Sequence, residues 1–412
     1  MGGAAKRVLP FAGVVLAGVW LVSRISSTGD WEYDSWKAVG PLAHGHVGDY
    51  LAAKLLMGPL PPLLEAPFAA IPQGDFLTVY QWACIPPLLV AGVCGLYVAA
   101  VAGRRGASSL TQVLLASLFL VNPLTVAALE AGHPEEILTA ALAVAAVAAA
   151  GEGKAWRAAL LLGLALASKQ WAVIAIFPVL MALPDRRLRA AGIAAGIAVV
   201  LTLPGFLAAP GGFSDVHAVA AQTGRVVSPL NVWYPISSEV PEVVGRGQEA
   251  VVAHVRRPPE AISALSHPLI VLLAFAVPLA LVFKRRRFGL AASEAMALLA
   301  LLALLRCVLD CLDNVYYHLP LLLALIGWDA VAARGLPLRT LLGAAAAFVF
   351  VHWSLNLDNA ADVTAFSYAY LALVIPAGVA IALSLLQKPE FSLDEVQISG
   401  IKEPAQRPIN AL

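Results

Sequence analysis

Long apolar runs, separated by short basic clusters that recur on alternate connections, constrain this chain more than any other feature. Apolar residue types make up 60% of its 412 residues and charged types 13%. A soluble domain runs nearer ~45–50% apolar and ~25% charged. This balance excludes a water-soluble enzyme, a disordered chain and a nucleic-acid binder working through a basic surface. The net charge of +1 supplies no strong global field. The composition predicts an all-α polytopic membrane protein.

A span needs about 20 apolar residues, fewer where neighbouring helices shelter it. Twelve segments qualify, at 8–26, 78–102, 110–129, 137–150, 156–168, 171–184, 190–208, 264–283, 289–309, 316–333, 338–355 and 366–387. If all twelve cross, Lys6/Arg7, Arg104/Arg105, Lys154/Arg157, Arg186/Arg187/Arg189, Lys284–Arg287, Arg334/Arg339 and Lys388 share one side. The positive-inside rule makes that side cytoplasmic, with both termini on it. The charge pattern also requires 156–184 to be two short helices broken at Ser168-Lys169-Gln170, because one continuous helix would invert everything downstream. Each arm is then only about 20 Å long. Lys169 falls at a membrane depth where an unpaired ammonium is costly.

The apolar stretch ending near Ile25 is read as a retained first helix, since no small-residue cleavage site follows it cleanly. Residues 1–387 form one transmembrane domain on this reading, with a disordered cytoplasmic tail over 388–412. The proline-broken segment Leu51–Ala70 is expected to lie along the outer leaflet. Cys84, Cys94, Cys307 and Cys311 all sit in apolar runs. Cys307 and Cys311 share a helix face, but no second Cys/His pair accompanies them, so packing roles are expected and no metal.

In so apolar a chain the polar residues near the membrane carry the information. They collect at the outer ends of the spans: Asp30, Glu32, Asp34, His44, His46 and Asp49; Asn122, Glu130, His133, Glu135 and Glu136; Lys169 and Gln170; Arg225 and Asn231; Arg306, Asp310, Asp313, Asn314 and His318. Blander readings stand beside these. Trp31, Trp36, Trp233, Tyr316 and Tyr317 fit an interfacial aromatic belt. Arg256 and Arg257 fit solvated loop charges, His44 and His46 fit solvent-facing histidines, and the Asp30–Asp34 acids fit an ordinary turn. Lys169 and Arg306 resist such readings because each interrupts a span and needs a counter-charge.

Sugar transfer from a lipid phosphate suits this inventory. The acceptor hydroxyl needs a carboxylate base, for which Asp30 and Asp34 are the candidates, their clustering expected to raise one another's pKa. The departing lipid phosphate needs cations or donors, and His133, Lys169, Arg225 and His318 are available. Glu135, Asn231, Asp313 and Tyr317 are candidates for holding the acceptor or supporting the site. Lys169 is expected to meet the donor phosphate, or a carboxylate of the first loop or of His133–Glu136. No Walker loop or dinucleotide fingerprint is present, which argues against a soluble nucleotide-sugar donor.

Several stretches then resemble a known group: the acid-bearing first loop, Gly58-Pro59-Leu60-Pro61-Pro62 with Glu65-Ala66-Pro67-Phe68, Asn122-Pro123 followed by Gly132-His133-Pro134-Glu135, Leu161–Trp171 with Pro178, and Asp313–Pro320. Over roughly residues 8–330 their order resembles the GT-C-fold glycosyltransferases of family 87, which include actinobacterial polyprenyl-phosphate-mannose-dependent mannosyltransferases. The resemblance implies an inverting single displacement, a catalytic Asp in the first extracytoplasmic loop and no obligatory metal or cofactor. It places that acid at Asp30 with Asp34 close behind, Asp34 standing where the family has an aromatic residue. The family's Gly-His pair maps onto Gly132-His133 and its lysine onto Lys169.

The expected activity is therefore transfer of a sugar, mannose or arabinose-like, from a polyprenyl-phosphate donor to a lipid or glycan acceptor of the cell envelope. It would take place at the outer face of the plasma membrane, among membrane lipids and without nucleic acid. A transporter or flippase of lipid-linked glycans is the alternative, and an envelope-polymer ligase a third reading. A flippase would need polar residues through the bilayer's depth, and it often shows related halves. No internal repeat is visible here.

Overall fold

The structure is a computed structural model. It describes residues 3–53, 55, 57–211, 226–244, 251–332, 335–357 and 359–387, with the side chains of 3–9, 242–244 and 251–254 left aside. Arg225, Arg334 and the 388–412 tail lie outside the described residues, as do the side chains of Lys6 and Arg7.

Among the described residues, eight helices are long and apolar enough to cross a membrane: Phe76–Arg104, Ser109–Glu130, Pro134–Gly151, Arg187–Ala208, Glu260–Arg285, Ala292–Leu309, Val315–Ala332 and Ala360–Leu386. Four shorter apolar helices, Pro10–Arg24, Ala155–Ser168, Gln170–Ala182 and Leu338–Ser354, fill the other segments singled out in the sequence. The protein is a predominantly helical, multi-pass membrane protein.

Pro134–Gly151 is the central post. Every residue from Pro134 to Ala150 is buried. The helix packs against Ile85–Arg104, Ala155–Ser168, Ala292–Leu309 and Leu319–Ala332. Its alanine-rich sequence explains this, because small side chains let several helices approach one axis closely. At the periphery, Arg187–Ala208 and Glu260–Arg285 turn Val199, Val200, Leu272 and Phe283 outward, as a lipid-facing helix does.

The 156–184 segment breaks where its charges require. Lys169 is extended (φ −146°, ψ 144°) between Ala155–Ser168 and a 3₁₀ turn over Gln170–Ala175, which leads into Ile176–Ala182. The chain then returns to its starting level, since a Cβ on Gly153 would lie 3.8 Å from Pro184.

Basic clusters gather at one end of the bundle. Arg104 pairs with Glu152 at 2.7 Å, Arg105 donates to the Val331 carbonyl, Arg339 pairs with Asp329, and Arg285 pairs with Glu294. Glu152 and Glu135 lie at opposite ends of the central helix, about 25 Å apart at 1.5 Å per residue. The remaining polar residues converge near Glu135.

Both long loops carry ordered structure. Leu60–Ala69, within the proline-broken segment, buries Leu60, Pro61, Pro62, Glu65, Ala66 and Ala69 against the bundle. Polar groups tie it there, with the Gly58 amide donating to the Ser168 carbonyl (2.9 Å) and Trp31 Nε1 donating to Glu65 (3.0 Å). The second long loop carries an antiparallel hairpin, Ser238–Val244 paired with Val251–Arg257. Its repeated valines favour a strand, a signal masked in the sequence by Pro241 and the acids around it. Arg256 is not a solvated loop charge, because its guanidinium lies 4.5 Å from the Tyr234 ring centroid.

Candidate functional site

Two glycines fix the first acid. Gly29 (φ +48°) and Gly132 (φ +84°) face each other where the first loop crosses the turn before the central helix. The Asp30 amide donates to the Ala131 carbonyl at 2.9 Å. A Cβ on Gly132 would lie 2.4 Å from the Trp31 amide nitrogen, so both its dihedral and its space demand glycine. Trp31 anchors the other side of Asp30, fully buried among Trp36, Phe76 and Tyr80. Asp30 itself stands at the rim with its side chain 68% exposed. Gly132→Ala is expected to destabilise the protein by about 1–3 kcal/mol through backbone strain and to uncouple Asp30 from His133. Thermal unfolding and turnover of the purified variant check this, and wild-type behaviour would contradict it.

From Asp30 a chain of alternating charges runs inward. His133 Nε2 lies 3.5 Å from Asp30 Oδ2, and His133 Nδ1 lies 2.8 Å from Glu135 Oε1. Lys169 Nζ reaches Glu135 at 3.1 Å and Glu136 at 2.8 Å. Arg306 Nη2 lies 3.2 Å from Glu136 Oε1, and Trp171 Nε1 donates to Glu136 Oε2 at 2.9 Å. The Arg306 guanidinium sits over Trp171 (4.9 Å) and Tyr317 (4.6 Å), while Tyr316 stacks on His133 at 5.0 Å. Glu135 and Glu136 are fully buried. They occupy the first turn of the central helix, where the helix dipole favours negative charge. The break at Lys169 brings its ammonium to their level.

The rim groups respond to this arrangement. Hydrogen bonding to His133, opposed by burial, holds the Asp30 carboxyl below its ordinary value, which corrects the expectation that clustered acids would raise it. Asp34, half-buried, is pushed up by desolvation. Burial alone would lower His133, but the Glu135 charge and hydrogen bonds to Asp30 and Glu135 outweigh it and raise the imidazole to about 9. At neutral pH His133 is thus a cation and Asp30 an anion.

His133's raised pKa contributes stability that is fully present below about 6.5 and is lost as pH rises through about 9. Asp30's contribution is present above its ordinary value and is lost as pH falls through the lowered one. Activity is expected to fall on the alkaline side near pH 9 as His133 loses its proton. A pH–rate profile of His133→Gln should lack that limb; an unchanged limb would assign it elsewhere.

The other sequence candidates are placed as follows. Tyr317 lies under Arg306, at the inner end of the charge chain. Asn231 is buried and holds the second loop down through the Ser228 and Cys311 carbonyls. Asp313 and His318 form a separate buried group with Cys307 and Tyr370, beside Arg306 but outside the Asp30–Arg306 chain. Arg225 is not among the described residues. His44 and His46 lie on the first loop and not against His133 or Lys169; His46 pairs with exposed Asp49. Glu136, named in the sequence only as a possible partner of Lys169, and Trp171, read only as part of a motif, both belong to the site. The available signal was a pair of acids heading an otherwise uncharged helix, opposite two cations that each interrupt a span. Glu65, also missed, is raised to about 8 by burial, against the Trp31 hydrogen bond.

The sequence model of Glycosyltransferase family 87 matches residues 57–305, more than half of the chain, including His133, Glu135, Glu136 and Lys169. No curated protein is significantly similar in sequence. Among solved structures, the fold is similar to that of ArnT from Cupriavidus metallidurans bound to undecaprenyl phosphate. That likeness has a TM-score of 0.50 at 16% identity, and it covers 93% of this chain and 72% of that one. The helical GT-C architecture expected from the sequence is the one observed, and the chain belongs to glycosyltransferase family 87.

Proposed function

We propose that this membrane glycosyltransferase moves a mannose- or arabinose-like sugar from a polyprenyl phosphate to a cell-envelope glycolipid or glycan, at the extracytoplasmic face and with inversion. The observation that carries this reading is the convergence of Asp30, His133, Glu135, Lys169, Glu136 and Arg306 at the end of the bundle opposite the basic clusters. ArnT, bound to undecaprenyl phosphate, supports a lipid-phosphate donor.

In the proposed reaction the acceptor hydroxyl attacks the anomeric carbon opposite the phosphate. Its proton passes to Asp30, the bond to the phosphate oxygen breaks, and polyprenyl phosphate leaves. Asp30 is ionised at neutral pH and exposed enough to reach an acceptor. Lys169 Nζ donates to Glu136 and lies 3.1 Å from Glu135. The ammonium carries three N–H bonds, and a phosphate oxygen would take one that does not serve Glu136, with Arg306 and His133 adding positive potential as charge develops on the leaving group. Asp34, made less acidic by desolvation, orients the acceptor. A flippase would need polar groups at mid-depth; between Glu136 and Gly151 the central helix offers only Thr139.

The reading requires twelve crossings, with the Asp30 end outside. Cysteines placed at Ile236 and Asn359 should react with a membrane-impermeant maleimide from outside, and those at Leu188 and Arg286 only after permeabilisation. The four native thiols are buried and need no removal. Labelling of Leu188→Cys in intact cells would overturn the orientation.

A further inference from the structure

Beneath the charge chain, three potential metal ligands converge without belonging to it. Cys307 Sγ, an Asp313 carboxylate oxygen and a His318 ring nitrogen all lie within 4.8 Å of one another. Asp313 Oδ2 and His318 Nε2 are 3.5 Å apart. Both oxygens of Asp313 are buried without a hydrogen-bond partner, and its side chain is 0% exposed. A buried carboxylate with neither oxygen satisfied is rare enough in a folded protein to need a cause, an ion being one.

We propose that Cys307, Asp313 and His318 bind a zinc ion, independently of the glycosyl-transfer reading. Zinc takes sulfur, nitrogen and oxygen ligands at about 2.0–2.3 Å, which in tetrahedral geometry separates the ligand atoms by about 3.3–3.7 Å. The Asp313–His318 separation of 3.5 Å already fits, and the thiol lies within 4.8 Å of both. His318 Nδ1 lies 3.2 Å from the Val315 carbonyl, which fixes the proton there and leaves the lone pair on Nε2, the nitrogen facing Asp313. The Tyr370 hydroxyl, 2.7 Å from Nε2, would give up that hydrogen bond on binding.

Charge supports the same assignment. Binding releases the Cys307 proton to solvent, and Zn²⁺ with one thiolate and one carboxylate is neutral, as a site at this depth needs. The Cys307 thiol now donates to the Tyr317 carbonyl at 3.1 Å. The ion would therefore clamp the end of Ala292–Leu309 to the start of Leu319–Ala332, on either side of the Tyr316–Tyr317 pair that carries His133 and Arg306.

The test uses the full-length protein in detergent, stripped with chelator and then titrated with Zn²⁺. We expect about one zinc per chain by elemental analysis and a rise in Tm on loading, both lost in Asp313→Asn and Cys307→Ser. Because either variant could misfold, Co²⁺ is added to the stripped wild type in parallel, where a thiolate-to-cobalt charge-transfer band is expected. Zinc content at the level of the variants, or cobalt binding without a sulfur band, would overturn the proposal.

Discussion

Asp30→Asn is expected to lower turnover by about 10²–10⁴-fold while donor affinity stays near that of wild type. A hydroxyl is a poor nucleophile at neutral pH, and a positioned carboxylate that removes its proton contributes about that factor. The substitution keeps size and a hydrogen-bond acceptor facing His133 but removes basicity. It should leave the fold intact, because the Asp30 side chain is 68% exposed and an exposed ion pair contributes only about 0–1 kcal/mol. His133 keeps its contact with Glu135 at 2.8 Å. Asp34→Asn should be milder, since Asp34 lies outside the chain of paired charges. Steady-state turnover and equilibrium donor binding of the two variants check this. An active Asp30→Asn beside a dead Asp34→Asn would move the base to Asp34; two active variants would remove the first loop from the chemistry.

Lys169→Met is expected to destabilise the protein by about 3–5 kcal/mol, the usual consequence of stripping one partner from a buried ion pair. A lysine that met only the donor phosphate would, when replaced, weaken donor binding with little loss of folded protein. The structure changes that expectation, because Lys169 compensates two fully buried carboxylates. Three acids and three cations balance across Asp30, His133, Glu135, Lys169, Glu136 and Arg306. Removing Lys169 leaves one negative charge in excess. Adding Glu136→Gln restores neutrality, so the double variant should recover much of the lost stability and make donor binding measurable without the ammonium. Thermal unfolding in detergent checks both; a single variant as stable as wild type would show that Lys169 does not hold the acids.

Much of the fold was legible because the bilayer imposes it. Apolar length and one-sided basic clusters located the helices, and the charge pattern alone required the break at Lys169. Its position at membrane depth already implied a counter-charge, and Glu135 and Glu136 supply it. Pairing between distant segments was harder to read. Nothing local to Gly58 indicates a hydrogen bond to Ser168, and Glu65 looks like a surface acid until Trp31 is seen against it. The Gly29–Gly132 crossing is legible only as two glycines, since the positive φ values and the missing Cβ space are properties of the contact. Clustered acids suggest a raised Asp30; His133, the distant cation it faces, reverses the sign.

The most direct measurement reconstitutes the purified protein in liposomes with a panel of polyprenyl-phosphate-linked and nucleotide-linked sugars and an envelope glycolipid acceptor. Product linkage is read by NMR and bilayer translocation of the lipid-linked sugar is followed in parallel. The account predicts transfer from a polyprenyl-phosphate donor alone, with the anomeric configuration inverted and with loss of transfer in Asp30→Asn. Transfer from a nucleotide sugar, retention of configuration, or translocation of the lipid-linked sugar without transfer would contradict it.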